Sequence, residues 1–437
     1  MFAYYLQLGL RSLRKNPLLT LLMVLAIGCG VAASMTTYSV FRATSNNPIP
    51  NKSSQLFVPQ IDNWGPDSAK DNKGEPPNAM TYTDAINLMR DKRATRQTAL
   101  YPAAMSVVPE DAGMLPFRET SYGWYADAFG MFDVPFQFGH GWTASEDDSH
   151  AAVAVIGRSL NEKLFNGANS VGRNINLNGR DYRIVGVADK WNPEPVFYDV
   201  INTNGFDDPI QVFIPFTRAV ELKTPTNGNN NCNHDAGNGW DAWIRSECVW
   251  LGFWAELPTK SEADAYRQYL NGYAAEQQRA GRFRWAPNTR LRNVTEWLEY
   301  QKVVPQEAKV SLMVSLGFLL ICLVNTVGLL LAKFMRRSSE IGVRRALGAT
   351  RKEIYLQFLI EAAAIGLAGG VVGLVLTGLG VLGVSLVFEP DIAKLATLDV
   401  SLILLTMLVA LLATVLAAFY PTWRAAQVQP AWQLKSN

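Results

Sequence analysis

The chain has 437 residues, of which 49% are hydrophobic, and its formal net charge at neutral pH is +2. These averages match an ordinary soluble protein, and so small a charge excludes the strongly basic balance typical of nucleic-acid binding. The averages hide a segregated pattern, because the apolar residues are concentrated in four long runs and the charged residues lie between the runs.

The chain begins with a short amphipathic segment. Phe2, Leu6, Leu10 and Leu13 recur at helical spacing, and the basic residues lie off that stripe. This pattern predicts an interfacial helix over residues 1–17 on the cytoplasmic membrane surface. A frayed start of the following apolar helix would give a similar pattern.

Four apolar runs each reach the roughly 20 residues that a helix needs to cross a bilayer. They cover residues 18–41, 310–334, 356–388 and 400–420. We therefore predict an α-helical membrane protein with four transmembrane helices, one before and three after a long insert. The first run could instead be a signal peptide, but it is long for one and ends without a small-x-small cleavage pattern.

Charge beside the spans predicts their orientation. Seven basic residues, from Lys333 to Lys352, lie between the second and third spans against two acidic residues. The insert, residues 42–309, carries 27 basic and 32 acidic side chains, and the 389–399 loop is also acidic. By the positive-inside rule, both termini (including the tail, residues 421–437) and the 335–355 segment are cytoplasmic. The insert and the 389–399 loop are then periplasmic.

The insert has the pattern of a mixed α+β domain. We predict helices over residues 81–95, 158–165, 261–281 and 295–308, the last leading straight into the second span. The 81–95 helix is expected to take its cap from Thr83, and the 261–281 helix to bury Ala265, Tyr269 and Tyr273. Predicted strands cover residues 151–156, 171–177, 181–187 and 212–215, with a hairpin turn at Asn178-Gly179.

Two cysteines lie in the insert, beside a polar, Asn-rich stretch. In an oxidising compartment Cys232 and Cys248 are expected to form a disulfide, worth about 3 kcal/mol by the chain-entropy estimate. A metal site that adds His234 is the less favoured alternative, since it lacks a fourth ligand. Four tryptophans nearby either pack around the bridge or form a partner-binding face: Trp240, Trp243, Trp250 and Trp254.

The third run is rich in glycine. The pairs Gly366/Gly370 and Gly369/Gly373 have the small-xxx-small spacing that lets helices approach closely. Packing within one chain and dimerisation explain this spacing equally well.

Motifs of catalytic chemistry are missing from the sequence. It contains no Gly-x-x-x-x-Gly-Lys-Ser/Thr, no Gly-x-Ser-x-Gly and no His-Glu-x-x-His. The three histidines, His140, His150 and His234, have no nucleophile pattern beside them. We therefore predict no catalytic residue, no resident metal and no cofactor on this chain.

The 335–355 segment has the signals of a short capped helix. Glu340 lies in its first turn, Arg344 and Arg345 lie near its end, and Gly348 can adopt the left-handed conformation that stops it. Thr350 and Glu353 then form a capping box for the next helix. The apolar side of the short helix that ends near Gly348 is expected to comprise Ile341, Val343 and Leu347, and to dock on another protein.

This segment, Glu340-Ile-Gly-Val-Arg-Arg-Ala-Leu-Gly-Ala-Thr, resembles the coupling-helix signature of the FtsX/MacB-type ABC transporter permeases. Residues 153–165 and 171–187 are similar to the core of the family's periplasmic domain, and residues 420–431 to its closing segment. The resemblance implies that nine residues couple the chain to an ATPase: Glu340, Ile341, Gly342, Val343, Arg344, Arg345, Ala346, Leu347 and Gly348.

The resemblance also implies a function. It indicates a stand-alone export permease of the cell inner membrane, whose separate ABC ATPase subunit binds ATP and Mg and moves the coupling helix. A second permease subunit, identical or different, a periplasmic adaptor and an outer-membrane channel are the further partners expected. Mechanotransmission, in which motion passes to the periplasmic domain, is the expected mechanism.

Other functions remain open within the same fold. A Lol-type permease that extracts lipoproteins would need an apolar, lipid-binding cavity. An FtsX-like regulator of cell-wall hydrolases would not need an insert of about 265 residues. A sensor of antimicrobial peptides is disfavoured, because such permeases usually have about ten spans. The sequence does not indicate the substrate.

Overall fold

The computed structural model describes residues 17–67, 74–111, 113–203, 205–206, 208–303, 306–384 and 399–427. The predicted interfacial helix, nearly all of the 389–399 loop and the last ten residues lie outside these ranges. The chain divides into two compact units, Asn46–Val303 and the segments that flank it in sequence.

The insert unit follows helix α1 (Pro17–Thr44) and contains thirteen strands among its described residues. They are β1 (Leu56–Ile61), β2 (Met80–Thr81), β3 (Arg96–Pro102), β4 (Met105–Val108), β5 (Phe117–Glu119), β6 (Ser121–Trp124), β7 (Phe136–Gly139), β8 (Val153–Gly157), β9 (Asn174–Leu177), β10 (Arg180–Ala188), β11 (Val212–Pro215), β12 (Val249–Glu256) and β13 (Thr289–Asn293).

Eight α-helices lie among the described residues of the insert, the last of them after strand β13. They are α2 (Tyr82–Asp91), α3 (Asp127–Met131), α4 (Ala144–Asp148), α5 (Arg158–Phe165), α6 (Phe216–Glu221), α7 (Trp240–Arg245), α8 (Lys260–Arg279) and α9 (Val294–Tyr300).

The strands form one mixed sheet. Its order is β13-β1-β12-β3-β6-β11-β8-β10-β9-β4-β5, with β2 beside β12 and β7 beside β10. The pairs β6–β11 and β8–β10 are parallel, and the other neighbours are antiparallel. Helix α5 connects β8 with the β9–β10 hairpin, so the insert has the α+β architecture that the sequence predicts.

Several local elements match their predicted positions. Helix α5 and strand β11 have the predicted bounds. Asn178 and Gly179 join β9 to β10 with φ values of 51° and 79°. A two-residue hairpin of this type needs positive φ at both central residues, which Asn and Gly tolerate.

Other boundaries differ from the prediction for local physical reasons. Strand β9 begins only at Asn174, since Gly172 lies in a turn with φ of 89°. The cap of α2 is Thr81, whose hydroxyl accepts a hydrogen bond from the Asp84 amide at 3.0 Å. The predicted 295–308 helix is broken, because α9 ends at Tyr300 and the next helix begins at Gln306.

The buried stripe of α8 is displaced by one residue from the predicted stripe. Ala265 is exposed and Tyr269 is only half-buried, whereas Tyr273 is buried. The residues that face the core are Ala263, Tyr266, Leu270, Tyr273 and Ala274. Leu270 and Tyr266 bury more apolar surface than Ala265 would, so the helix is rotated toward them.

The structure joins Cys232 and Cys248 in a disulfide, which leaves no free thiolate for the alternative metal site. Trp243 stacks on buried Trp250 with ring centroids 4.3 Å apart. Trp254 is buried elsewhere, with the Phe132 ring 6.0 Å away. The four tryptophans therefore serve local packing and do not form one exposed face.

The second unit is a helical bundle. It contains α1, α10 (Gln306–Met335), α11 (Ser338–Ala346), α12 (Arg351–Val384) and α13 (Val400–Ala426). Helices α1, α10, α12 and α13 are long and apolar enough to cross a membrane. This confirms the predicted fold class, with one span before the insert and three after it.

The glycines of α12 are used inside this bundle. A Cβ atom added at Gly366 or Gly370 would meet α13 side chains at 2.9 Å. At Gly369 and Gly373 it would meet α1 side chains at 2.8 Å and 3.4 Å. Both small-xxx-small pairs therefore permit close approach within one chain, which accounts for their spacing without dimerisation.

Asp147 is a buried carboxyl group in the insert, at the end of α4. Its oxygens accept hydrogen bonds from the Ala126 amide at 2.7 Å and the Trp142 indole at 2.8 Å. Burial raises the pKa of Asp147 to about 7, although these two hydrogen bonds act in the opposite direction.

We predict that Asp147 makes the insert more stable at pH 5 than at pH 8. Between the ordinary pKa of an aspartate, about 4, and the folded-state value, the folded chain binds more protons than the unfolded chain, so stability falls as pH rises. Thermal unfolding followed by tryptophan fluorescence should show this decrease in the native protein and a smaller one in Asp147→Asn. Equal pH dependence in the two proteins would contradict the prediction.

Candidate coupling site

Helix α11 lies in the sequence between two candidate spans, and it ends at a glycine. Leu347 is its C-cap, and Gly348 follows with φ of +104°. The amide of Ala349 donates a hydrogen bond to the Arg344 carbonyl at 3.1 Å, which satisfies one of the last carbonyls of the helix. The predicted glycine stop is therefore confirmed, and its positive φ explains why a residue without a Cβ is favoured here.

The next helix begins with a capping box. The Glu353 amide donates to the Thr350 hydroxyl at 3.3 Å, and the Thr350 amide donates to the Glu353 carboxylate at 2.8 Å. Helix α12 then starts at Arg351. The short segment around Gly348 thus separates two helices whose ends are each satisfied locally, which confirms the predicted local structure.

The two faces of α11 have different surroundings. Ile341 is 3% exposed and Gly342 is also buried, in the core of the helical bundle. Val343 and Leu347 are 50% and 84% exposed, and Ala346 is exposed as well. The predicted docking side is corrected accordingly: Ile341 packs on the bundle of its own chain, and the exposed apolar face comprises Val343, Ala346 and Leu347.

The charged residues of α11 are paired. Glu340 accepts hydrogen bonds from Arg337 at 3.1 Å and from Arg344 at 2.6 Å. Arg344 also donates to the side-chain carbonyl of Gln357 on α12 at 2.9 Å. Arg345 lies with its guanidinium 3.5 Å from the Ala426 carbonyl at the end of α13. The helix is therefore held on the bundle by polar contacts on both flanks.

A buried ion-pair group adjoins α11, and the sequence did not predict it. Lys333 of α10 and Glu361 of α12 have side chains that are 0% and 2% exposed, and they form an ion pair at 2.8 Å. Arg337 binds the other oxygen of Glu361 at 3.0 Å. Burial disfavours the charged form of Arg337, but the hydrogen bonds to Glu340 and the Glu361 charge outweigh it and raise its pKa.

One signal for this group was present in the sequence. Glu361 lies within an otherwise apolar run, and a carboxylate at such a position requires a partner. In the sequence Lys333 is one of the basic residues near the 335–355 segment, and only the structure places its amine beside the Glu361 carboxylate.

The candidate coupling site is a helix surface. It consists of a short helix with an exposed apolar face and paired charged residues. Within the described ranges, no group of three or more His, Cys, Asp or Glu residues could hold a metal ion. An exposed apolar face outside the candidate spans is typical of a protein-docking surface.

Comparisons with known proteins identify the family. Residues 20–269 match the family model of the MacB-like periplasmic core domain, and residues 312–430 match that of the FtsX-like permease C-terminal region. The first match covers more than half of the chain. The protein belongs to the MacB/FtsX-type ABC transporter permease family.

Individual relatives are similar over much of the chain. The macrolide export ATP-binding/permease protein MacB of Azoarcus sp. (strain BH72) is 24% identical over 437 residues, covering 98% of this chain and 59% of the relative. The pyoverdine export ATP-binding/permease protein PvdT of Pseudomonas aeruginosa is 26% identical, covering 78% of this chain and 46% of the relative. The chain thus spans about half the length of these relatives.

Among solved structures, the periplasmic region of MacB from Actinobacillus actinomycetemcomitans aligns with 56% of this chain and 92% of its own. The sequence identity is 12% and the TM-score is 0.35. The family assignment therefore rests on the sequence matches.

We predict that the two faces of α11 respond differently to truncation. Ile341→Ala leaves a cavity in the bundle and should lower the free energy of unfolding by about 2–4 kcal/mol. Val343→Ala on the exposed face should change it by less than about 0.5 kcal/mol. Thermal unfolding of the two variants in detergent measures the difference, and equal losses would contradict the assignment of the faces.

Proposed function

We propose that this protein is the permease subunit of an ATP-driven export system. In this proposal a separate ABC ATPase subunit, which binds ATP and Mg, docks on α11 and displaces it. The 437 residues contain no phosphate-binding loop motif, so the proposal places ATP hydrolysis outside them. The observation that carries the proposal is helix α11, which ends at Gly348 and has an exposed apolar face, between two candidate spans.

The exposed face explains why a partner is expected at α11. Leu347 is 84% exposed although it lies outside the candidate spans, where water and not lipid would surround it. With Val343 and Ala346 it occupies neighbouring positions at i, i+3 and i+4 of one helix face. Burying this face against an ATPase would remove the apolar surface from water.

Motion of α11 would then reach the insert by mechanotransmission. Helix α12 follows α11 directly in the chain, and α10 connects the insert with α11. The spans carry few polar residues, so we propose that substrate is moved by the insert and not between the spans. A second permease subunit, a periplasmic adaptor and an outer-membrane channel complete the proposed assembly, which lies in the cell inner membrane.

Export is favoured over the alternatives by the similar proteins. Both relatives described above are export proteins, and nothing in the comparisons favours lipoprotein extraction or the regulation of a cell-wall hydrolase.

We predict that Gly348→Val uncouples the ATPase. Gly348 has φ of +104°, which a β-branched residue adopts only with strain, so the end of α11 should unwind in the variant. The effect is one of backbone conformation and not of a steric clash, because a Cβ added at Gly348 meets no atom within 4 Å. ATPase stimulation in proteoliposomes should fall at least about fivefold, in the range typical of a lost coupling. Gly348→Asn is the matched control, because asparagine tolerates positive φ better and should retain more stimulation.

A charge reversal tests the same site by a different route. The double variant Arg344→Glu and Arg345→Glu removes the contacts to Gln357 and to the Ala426 carbonyl and places like charge beside Glu340. We expect loss of ATPase stimulation with an unchanged circular dichroism spectrum of the insert. Undiminished stimulation in this variant and in Gly348→Val would rule out coupling through α11.

A further inference from the structure

The corner between α10 and α11 is braced by a carboxylate of a third helix. One oxygen of Glu361, on α12, binds the Lys333 amine of α10 at 2.8 Å. The other oxygen accepts a hydrogen bond from Arg337, the residue that precedes α11, at 3.0 Å. Glu361 thus holds both sides of the corner at once.

The corner itself is a weak point of the backbone. Helix α10 ends at Met335 and α11 begins at Ser338, so two residues connect them. Arg337 has φ of −100° and ψ of 14°, outside the helical region. Without a brace, a force on α11 could bend this turn and leave α10 where it was.

Stability alone does not explain a buried ion pair at this position. Removing Lys333 and Glu361 from water carries a large desolvation penalty, and a well-packed apolar pair of similar volume is often as stable or more stable. Apolar packing is available here, because the rings of Phe334 and Phe358 lie 4.3 Å apart beside the pair. Packing alone therefore does not account for the charges of Lys333 and Glu361.

Contacts next to the brace extend it along α11. Arg337 binds both carboxylate oxygens of Glu340 at 3.1 Å, a bidentate geometry that fixes its orientation. Arg344 contacts Gln357, which lies one turn before Glu361 on α12. The Arg344–Gln357 and Arg337–Glu361 contacts therefore attach α11 and the residue before it to α12 at two points one helical turn apart. The turn between α10 and α11 is then expected to move with α12.

We propose that Glu361 is a positioning residue that makes α10 move with α11. Through its contacts with Lys333 and Arg337, it prevents the turn at 336–337 from absorbing the displacement that the ATPase imposes. The inference rests on the proposed function for the source of the displacement. The bracing is a property of this chain alone and can be measured without the ATPase.

The first measurement is the distance between spin labels on α10 and α11. Met313 and Ser339 are exposed positions for the labels, in a background with Cys29→Ser and Cys322→Ser. Dilution with unlabelled protein removes distances between different molecules. We expect one narrow distance distribution with native Glu361 and a broader one with Glu361→Gln. Identical distributions would overturn the bracing.

The second measurement is ATPase binding and stimulation in proteoliposomes. Glu361→Gln should bind the ATPase with unchanged affinity but lower its stimulation at least about fivefold. Glu361→Asp keeps the charge and should restore part of the stimulation. The matched control is Glu353→Gln on the same helix, an exposed residue whose replacement still allows the capping box. Full stimulation in Glu361→Gln would overturn the proposal.

A double variant tests the proposal if Glu361→Gln does not fold. Lys333→Met with Glu361→Met replaces both buried charges by apolar side chains and leaves Arg337 paired with Glu340. We expect this variant to have native-like thermal stability, a broad distance distribution and weak ATPase stimulation. A native distance distribution together with native stimulation would overturn the proposal. Failure of the proposed function has a different signature, since the ATPase would then not bind even the native protein.

Discussion

The membrane unit depends on one constraint, which is that a charged side chain cannot remain unpaired in a medium without water. Arginine and lysine at the centre of a bilayer cost roughly 2.5–3.5 kcal/mol each on insertion scales. This cost disfavours placing the segment that carries Arg344 and Arg345 in the hydrocarbon, and the segment lies outside the candidate spans. The same constraint brings Lys333 and Arg337 to Glu361, because a carboxylate within an apolar helix needs cationic partners.

These contacts give α11 its combination of exposure and attachment. Ile341 and the paired charges hold one side on the bundle, while Val343 and Leu347 remain exposed on the other. Gly348 and the Thr350 capping box stop one helix and start the next within a few residues, so α11 is a distinct element with its own orientation. In the proposed function, a partner bound to the exposed face would act on a helix that is already attached to two candidate spans.

The insert unit is stabilised in a different way. Its thirteen strands share one sheet, and a core of aromatic rings fills the space beside it, including the stacked pair of Trp124 and Phe213 at 4.4 Å. The disulfide holds the polar stretch before β12 on this core. This unit has its own hydrophobic core, which is a property of a domain.

The sequence by itself determined the features that depend on composition and on neighbouring residues. The four apolar runs, the glycine stop at Gly348, the capping box at Thr350 and the Asn178-Gly179 hairpin follow from local rules of hydropathy, capping and φ preference. The family resemblance likewise rested on contiguous motifs. Local patterns predicted burial less well where one helix offers two neighbouring apolar faces. In α8, Leu270 and not Ala265 faces the core.

Only the tertiary structure decided which distant residues meet. Strand order places β1 between β12 and β13, although more than 180 residues separate β1 from either of these strands in sequence. It also decided that Ile341 is buried while Val343 is exposed, and that the α12 glycines pack within one chain. Lys333 and Glu361 are 28 residues apart on different helices, and no local rule pairs them. Long-range contacts depend on how whole helices and strands pack together. This packing is determined by residues in many separate segments, so the pattern of one segment cannot predict it.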